Sequence, residues 1–226
     1  MTIPNDFGPN SCHSCSRPDV IQPDGTVTPH NVLGLASPCD APPSIYPAAL
    51  PPVWLLDVDG VVNARKPGWG AAPRKRGCWS ASDAYEYVMR WAPPLVDRIR
   101  DLHKSGTVEV RWCTTWCPDA DALERLWALP TLARAFTEHV KGEEAHALKV
   151  AAARRVLASG RRLVWTDDDV VPLDGELHDE LIATGRALLI RPKSATGLQP
   201  EHMDTIEAFA LDIPGDDVIG AAGGAR

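Results

Sequence analysis

The sequence predicts an α/β fold, with a Rossmann-like parallel sheet that carries helices on both faces and a small separate module before it. Two observations lead to this prediction. From residue 53 to about 211, short apolar segments alternate with helical segments, which is the order that builds a parallel sheet. Residues 1–45, in contrast, are rich in Pro, Ser, Asn and Cys and show no helical period. The chain is therefore expected to hold one medium-sized core and a small appendage.

Each element has its own sequence signal. The apolar run Val53–Leu56 is typical of a strand that is covered on both faces. The helix expected at 93–106 begins with two prolines and ends with Lys104 and Gly106, which are common at helix ends. The remaining elements follow in order: a β-branched strand at 107–113, a helix at 118–129, an Ala-rich helix at 143–160, a strand at 161–165, a helix at 178–185, a strand at 187–192 and a last helix at 199–210.

Composition divides the chain and limits the classes of function. We expect a module at 1–45, a proline-rich linker at 46–52, an α/β domain at 53–213 and a flexible tail at 214–226. The net charge of −7 gives no global case for nucleic-acid binding, so any such case must be local. The start shows no secretory signal and no apolar run approaches ~20 residues, so we expect a cytoplasmic protein without a membrane partner.

Three of the expected strands end in polar residues. The first ends in Asp57 and Asp59, the second in Thr114 and Thr115, and the third in three successive aspartates. In open parallel sheets, ligands bind beyond the carboxyl ends of the strands. Carboxylates at one sheet edge repel one another, and a hard cation such as Mg²⁺ relieves that repulsion and also binds phosphate oxygens. Lys149, near the middle of the helix before the third strand, supplies a further positive charge.

These strand ends, taken with Lys149, form a series that resembles the four motifs of the haloacid dehalogenase superfamily. "LLDVDGVVN" resembles the first motif, "VRWCTTW" the second, Lys149 the third and "LVWTDDD" the fourth, and the resemblance covers residues 53–211. A single DxDG is a weak signal, but four motifs in this order are a strong one. "CTTW", "WTDDD" and "GLQPEHMDTIEAF" look most like capless phage and actinobacterial members, which include domains attached to RNA-repair proteins.

The resemblance implies a HAD-type phosphatase that acts on phosphomonoesters through an aspartyl-phosphate intermediate. Asp57 is then the nucleophile, and Asp59 protonates the leaving oxygen and later deprotonates the attacking water. Thr114 binds a phosphoryl oxygen, and Thr115 beside it is expected to contact the substrate.

The resemblance also implies how Mg²⁺ is held. The ion binds the carboxylate of Asp57, the carbonyl of Asp59 and one acid of the "TDDD" run. We favour Asp168 as that acid, with Asp167 orienting Lys149, and the reverse assignment stays open. Metal and lysine together would spread the negative charge of the transferring group.

Each signal also has a plain structural explanation. Asp-Gly is a common turn pair, so "DVDG" alone is more often a loop than a catalytic site. "TDDD" alone is also typical of a solvated loop, Thr114 of a strand and Lys149 of a helix surface.

Two alternatives to the favoured function follow. One is a small-metabolite phosphatase, and the other is an inactive HAD-like domain within a zinc-bearing binding module.

The space for a cap domain over the site is small. Residues 60–92 fit a hairpin flap, with a loop expected at 70–77 and one arm at 83–91. Residues 116–148 are largely used by one helix. A folded lid would need ~50 or more residues to bury a core of its own. The site is therefore expected to be open, which suits large substrates.

The expected flap has the local composition of a loop that contacts a polyanion. Residues 60–82 contain five bases and no acid, with Trp69 and Trp79 among them, and the bases are Arg65, Lys66, Arg74, Lys75 and Arg76. Basic and aromatic side chains together are typical of single-strand nucleic-acid binding. The stretch predicts RNA or DNA ends as substrates, with Arg74, Lys75 and Arg76 as substrate-binding residues; the plain alternative is a solvated basic loop. Five other tryptophans are expected in the core or the site wall: Trp54, Trp112, Trp116, Trp127 and Trp165.

The N-terminal cysteines have the spacing of a structural zinc site. "CHSC" places Cys12 and Cys15 two residues apart, and His30 and Cys39 follow with a turn between the two pairs. Some forty residues with few large apolar side chains need a staple to fold, which favours a zinc-ribbon-like hairpin. The alternatives are a disordered tail that carries cysteines, or His13 in place of His30.

Overall fold

The structure is a computed structural model, and it describes residues 28–31, 39 and 50–212. The chain divides into two compact units, Met1–Leu50 and Pro51–Arg226. Most of the expected N-terminal module and the expected tail at 214–226 lie outside the described residues. In the described part of the chain, no helix is long and apolar enough to cross a membrane.

The second unit is built on a parallel sheet of five strands. The strands are β1 (Val53–Leu56), β4 (Glu109–Trp112), β5 (Ala133–Arg134), β6 (Leu163–Thr166) and β7 (Ala187–Ile190). Their order across the sheet is β5-β4-β1-β6-β7. β4 and β5 therefore lie on one side of β1, and β6 and β7 lie on the other. Read in chain order, these five strands lie as 3-2-1-4-5, the order of a Rossmann-like sheet, which confirms the predicted fold class.

Helices connect the strands in the predicted order, and the one expected at 178–185 begins and ends three residues earlier than predicted. They are α1 (Pro93–Lys104), α2 (Ala120–Trp127), α3 (Gly142–Ala158), α4 (Gly175–Ile182) and α5 (Pro200–Leu211), with a short 3-10 helix at Cys117–Asp119. α1 and α5 begin with prolines, whose missing N–H would be unpaired in the first turn in any case. α2 ends at Ala128, whose left-handed φ of 51° stops the helix and returns the chain toward β5.

A two-stranded antiparallel hairpin fills the predicted space between β1 and α1. Its arms are β2 (Arg74–Ser80) and β3 (Tyr85–Trp91). The arm expected at 83–91 is confirmed. The expectation of a loop at 70–77 is wrong for its second half, because Arg74 onward pairs with β3 as a strand.

The core is formed by the apolar segments that the sequence marks as strands and helix faces. Three fully buried tryptophans, Trp54, Trp112 and Trp165, lie on the three adjacent strands β1, β4 and β6. The Trp54 indole N–H donates to the Thr166 hydroxyl at 2.9 Å, which ties the second residue of β1 to the last residue of β6. The carboxyl ends of β1, β4 and β6 are therefore held in place by a packed core beneath them.

Candidate functional site

The site is centred where the strand order reverses. Leu56 of β1 pairs with Thr166 of β6, so the next residues, Asp57 and Asp167, emerge side by side at the carboxyl edge of the sheet. This is the topological switch point, at which open α/β sheets bind their ligands. Both carboxylates are buried, Asp57 at 6% exposure and Asp167 at 0%.

Lys149 joins the two carboxylates. Its Nζ donates to Asp57 at 2.8 Å and to Asp167 at 2.6 Å, and the lysine itself is buried. Its helix α3 contacts both β1 and β6. The buried residues nearest to Lys149 on this helix are the small Ala145, Ala152 and Ala153, with Val156 and Leu157 following near its end, and small side chains let a helix approach a sheet closely. The prediction that Asp167 orients Lys149 agrees with this geometry.

The electrostatics of this trio are unequal. Burial raises the pKa of Asp57 from its ordinary 3.8 to about 7, against the opposing attraction of Lys149. The pKa of Asp167 is lowered, because Lys149 and two backbone N–H groups outweigh the effect of burial. The backbone donors are Asp169 at 2.9 Å and Val170 at 2.7 Å, both to the same Asp167 oxygen. The surroundings of Asp167 therefore favour its ionised form. For Asp57, the positive charge of Lys149 is not enough to offset the cost of burying a carboxylate.

Asp168 completes a group of three carboxylates. Ligand oxygens from Asp57, Asp167 and Asp168 all lie within 4.8 Å of one another, a spacing that could hold a metal ion. Burial raises the pKa of Asp168 as well, with a hydrogen bond from Ser194 acting in the opposite direction. The described neighbourhood supplies one buried ammonium for three clustered acids. A divalent cation there would supply the missing positive charge.

Gly60 explains why a glycine follows the two first-strand aspartates. A Cβ on Gly60 would stand 2.1 Å from a carboxylate oxygen of Asp168, and the residue has a left-handed φ of +72°. Only glycine takes up this φ without strain and leaves the space that Asp168 occupies. The "DVDG" turn and the "TDDD" run are therefore shaped for each other, which argues against two unrelated surface loops.

Thr114 lies at the end of the neighbouring strand, as predicted. It follows β4 and is 1% exposed, and its hydroxyl accepts the backbone N–H of Trp116 at 3.3 Å. Its carbonyl accepts the N–H of Cys117 at 3.1 Å, which starts the 3-10 helix. Thr115 is partly exposed beside it. The register of β1 with β4, in which Leu56 pairs with Trp112, brings this turn to the same sheet edge as Asp57.

Asp59 is exposed, but its carboxylate is held at both oxygens. The Asn63 side-chain amide donates to one oxygen at 2.6 Å, and the Trp116 indole N–H donates to the other at 3.0 Å. Asn63 also accepts the backbone N–H of Arg90 at 2.8 Å, so it links Asp59 to β3. Sequence reasoning placed Trp116 only in the core or site wall and did not find Asn63. An asparagine four residues after the acid was the available signal.

The hairpin turn is bound to the loop that follows β4. Asp119 is buried and accepts the Ser80 hydroxyl at 2.8 Å and the backbone N–H groups of Ala81 and Ser82 at 3.1 and 3.2 Å. Tyr87 of β3 packs edge-on against Trp116, with ring centroids 5.2 Å apart. The hairpin therefore borders the site as a fixed wall, and sequence reasoning missed Asp119 because an aspartate before a helix reads as a cap.

Two residues at the rim, His146 and Arg191, were also missed. His146 precedes Lys149 by one helical turn on α3, and its Nε2 lies 3.3 Å from an Asp169 oxygen. Arg191, just after β7, donates to the carbonyl of Asp168 at 2.9 Å and steadies the acidic loop. No spacing in the sequence marks His146 or Arg191, because α3 and the end of β7 reach the loop after β6 only through the order of the strands in the sheet.

The basic stretch of the expected flap does not form one surface. Successive residues of a strand point to opposite faces, so Lys75 faces away from Arg74 and Arg76. All three are exposed, and Trp79, with 56% exposure, lies on the same face of the hairpin as Lys75. The prediction of Trp69 as a stacking side chain is wrong. Trp69 packs against the core and donates its indole N–H to the Leu198 carbonyl at 2.8 Å.

Two of the four predicted zinc ligands are described, and Cys12 and Cys15 lie outside the described residues. The backbone N–H of Cys39 donates to the His30 carbonyl at 2.9 Å, so these two residues are neighbours. His30 Nδ1 lies 2.7 Å from the Thr28 carbonyl. A carbonyl only accepts, so Nδ1 is the donor in this contact, and such a contact is common for a histidine that binds a metal through its other ring nitrogen.

Comparison with known proteins adds no relative to this geometry. No family model, no curated protein and no solved structure matches the chain. The fold itself is a Rossmann-like α/β sheet with its acidic site at the switch point.

Proposed function

We propose that the protein is a Mg²⁺-dependent phosphatase that hydrolyses phosphomonoesters through an aspartyl-phosphate on Asp57, as the haloacid dehalogenase resemblance implies. One observation carries the proposal. A buried lysine joins Asp57 to Asp167, and a third carboxylate, Asp168, lies close by at the point where the strand order reverses. An anion buried beside a cation, in reach of a metal-binding group, suits a nucleophile that must accept a phosphoryl group.

The reaction balances with the residues present. A carboxylate oxygen of Asp57 forms a bond to phosphorus, and the bond from phosphorus to the ester oxygen breaks. Asp59 gives its proton to the departing alkoxide and later takes a proton from the water that attacks the aspartyl-phosphate. Inorganic phosphate leaves, and both aspartates return to their starting states. Lys149 lowers the pKa of Asp57 but does not cancel the effect of burial, which leaves that pKa at about 7, so both protonation states are present near neutral pH and the carboxylate is the form that attacks.

The acidic group fits a hard divalent cation. Asp57 and Asp168 would hold it together with the carbonyl of Asp59, since Asp167 is already engaged with Lys149 and two backbone donors. When bound, Mg²⁺ supplies positive charge for the phosphoryl oxygens and for the Asp57 carboxylate. Asp168 is the better candidate ligand of the pair because it is partly exposed and turned toward Gly60.

Turnover of 4-nitrophenyl phosphate with and without Mg²⁺ tests the proposal. We expect activity that needs the metal and that Asp57→Asn abolishes, because the amide keeps the shape but is no nucleophile. Asp101→Asn, an exposed aspartate on α1, is the matched control and should act as wild type. If Asp57→Asn keeps wild-type rates over a panel of esters, the aspartyl-phosphate is wrong. A protein that binds inorganic phosphate but turns over no ester would instead be the inactive binding domain.

For the substrate class, we propose the phosphate at an RNA or DNA end over a small phosphate metabolite. Support comes from the hairpin, which occupies the space of a cap as two strands only and carries Arg74, Lys75 and Arg76 exposed with Trp79 near them. A polymer can reach an open site and also lie along this strand, and its binding releases counterions. Lys75 shares its face of the hairpin with Trp79, whereas Arg74 and Arg76 lie on the opposite face, so a polymer would have to wrap around the strand to contact all three.

The polymer proposal is tested by comparing end-phosphorylated oligonucleotides with sugar phosphates and nucleotides at two salt concentrations. We expect the oligonucleotide rate to fall steeply with salt and the small-ester rate to change little. The variant Arg74→Ala/Lys75→Ala/Arg76→Ala should lose activity on oligonucleotides only. If small esters are preferred by an order of magnitude, or if the triple variant equals wild type on oligonucleotides, the metabolite phosphatase replaces the polymer enzyme.

We also propose a structural Zn²⁺ in the N-terminal unit, bound by Cys12, Cys15, His30 and Cys39. The proximity of His30 and Cys39 and the protonated Nδ1 of His30 support it. Metal binding supplies folding free energy in modules of this size, so a chelator is expected to unfold this unit and spare the second one. Far-UV circular dichroism before and after chelation measures both.

A further inference from the structure

We infer that Trp116 and Asn63 are positioning residues that fix the carboxylate of Asp59 for proton transfer. The inference rests on the proposed function and goes beyond it, because it assigns a role in the reaction to two side chains and to the hairpin behind them. Asp59 has to place one oxygen where the ester oxygen departs, and an exposed aspartate on a free side chain would rotate among several positions.

The contacts remove this freedom. The Asn63 amide donates to one oxygen of Asp59 at 2.6 Å, and the Trp116 indole donates to the other at 3.0 Å. Both donors are neutral and neither can accept a proton at the nitrogen involved. A carboxylate offers about four lone-pair positions, so two remain for the proton that is given and taken back. The two hydrogen bonds thus fix the orientation of the Asp59 carboxylate and leave lone-pair positions on its oxygens for proton transfer.

Both donors are in turn held by other parts of the fold. Trp116 is 6% exposed, and Tyr87 of β3 packs edge-on against its ring at 5.2 Å. The Tyr87 hydroxyl donates to Asp83 in the hairpin turn at 3.0 Å. Asn63 accepts the Arg90 backbone N–H at 2.8 Å, and the neighbouring Ala64 N–H donates to the Arg90 carbonyl at 3.0 Å. The hairpin therefore acts as a brace for Asp59 in addition to bordering the site.

The test separates positioning from general damage by the leaving group of the ester. Departure of an alkoxide needs a proton, while departure of 4-nitrophenolate needs little help. In Trp116→Phe we expect kcat/KM for 2-phenylethyl phosphate to fall about 10-fold, and kcat/KM for 4-nitrophenyl phosphate to fall less than about 2-fold, since acid–base catalysis contributes ~10²–10⁴-fold in full. The kcat for 4-nitrophenyl phosphate should nonetheless fall wherever hydrolysis of the aspartyl-phosphate limits it, because the same carboxylate activates the water.

Two further variants guard the interpretation. Asn63→Asp keeps the acceptor for Arg90 but loses the donor to Asp59, and we expect the same leaving-group pattern. Trp127→Phe is the matched control. It makes the same indole-to-phenyl change at 3% exposure, and among the described residues the Trp127 indole nitrogen has no hydrogen-bond partner, so both esters should be affected equally and little. Thermal unfolding of all variants identifies any that fail to fold.

An activity-independent readout tests the contact itself. In protein labelled with ¹⁵N-tryptophan, the Trp116 indole resonance is the one missing from Trp116→Phe, and we expect it to move in Asp59→Ala. If it stays in place, the contact is absent and the inference fails. Equal losses on both esters in Trp116→Phe would reduce Trp116 to a structural residue and also overturn it. A wild-type protein that turns over no ester while the resonance moves in Asp59→Ala would overturn the proposed function and leave the contact without a catalytic role.

Discussion

Replacing Lys149 by methionine should show how much the buried charge trio contributes to stability. Methionine keeps the length and apolar character of the side chain and removes only the ammonium group. The Lys149 ammonium contacts Asp57 at 2.8 Å and Asp167 at 2.6 Å, and the three side chains are exposed by only 7%, 9% and 0%. Removing one partner of a buried ion pair costs about 3–5 kcal/mol, because the remaining charge is left without compensation. We expect a loss in that range for metal-free protein at pH 7.5.

The pH dependence of this loss is a second part of the same prediction. Without the lysine, both folded carboxylates hold protons more tightly than they do in the unfolded chain. The folded variant therefore gains stability as the pH falls from 7.5 toward 5, and its deficit against wild type should narrow. Adding Asp57→Asn to the variant removes one of the two uncompensated acids and should recover on the order of 2 kcal/mol.

Urea unfolding at the two pH values measures these differences, with the exposed Lys104→Met as control. Lys104 lies in the last turn of α1, so its loss is expected to cost less than about 1 kcal/mol. A Lys149→Met protein within 1 kcal/mol of wild type at pH 7.5 would refute the reasoning, and so would a double variant no more stable than the single one.

Further predictions concern the turn, the pH profile, the hairpin and the zinc unit. Gly60→Ala should cost at least ~1–2 kcal/mol for its φ of +72° and weaken Mg²⁺ binding in calorimetry, because its Cβ would displace Asp168. In metal-free wild type, Asp57 has a pKa of about 7 in the folded state against an ordinary 3.8, so the folded state binds more protons than the unfolded chain between these pH values. The free energy of unfolding should therefore fall as the pH rises from about 4 to about 7, and a flat profile in that range would contradict the burial of Asp57. Asp119→Ala leaves the donors of the hairpin turn unpaired, at about 1–3 kcal/mol, and hydrogen exchange at Ala81 and Ser82 should speed up, whereas Asp101→Ala should change neither. Elemental analysis of protein never exposed to chelator should find one zinc per chain, and less than about half an equivalent would count against the site.

The strands, the helices and the aspartates at the strand ends were predictable because their sequence signals are local. A continuous apolar run that ends in Asp57 marks both a buried strand and its carboxyl end, and the Rossmann-like order brings such ends together. The interpretation of Lys149 as more than a surface lysine needed the order of the motifs. The structure accounts for it physically, since a lysine on an Ala-rich helix face can reach buried carboxylates.

The missed parts depend on contacts between distant segments. β5 has only two residues, Ala133–Arg134, too few for a periodic signal, and it forms because β4 offers an edge to pair with. Asn63 and Asp119 act on partners in the hairpin that no spacing reveals. Trp69 was misassigned because composition counts a tryptophan in a basic stretch as exposed, whereas its indole found a carbonyl on the turn before α5.

The arrangement of the tryptophans makes the hairpin observable without a label. Of the eight tryptophans in the chain, Trp79 alone is more than half exposed, and Trp54, Trp112 and Trp165 are sealed between the sheet and its helices. A collisional quencher such as acrylamide therefore reaches mainly one indole, and that indole lies beside the basic strand. Any molecule that settles on this face shields Trp79 and lowers the fraction of the fluorescence that the quencher reaches. A molecule that enters only the acidic site instead changes the surroundings of Trp116, which donates to Asp59 and is 6% exposed, and leaves Trp79 accessible to the quencher.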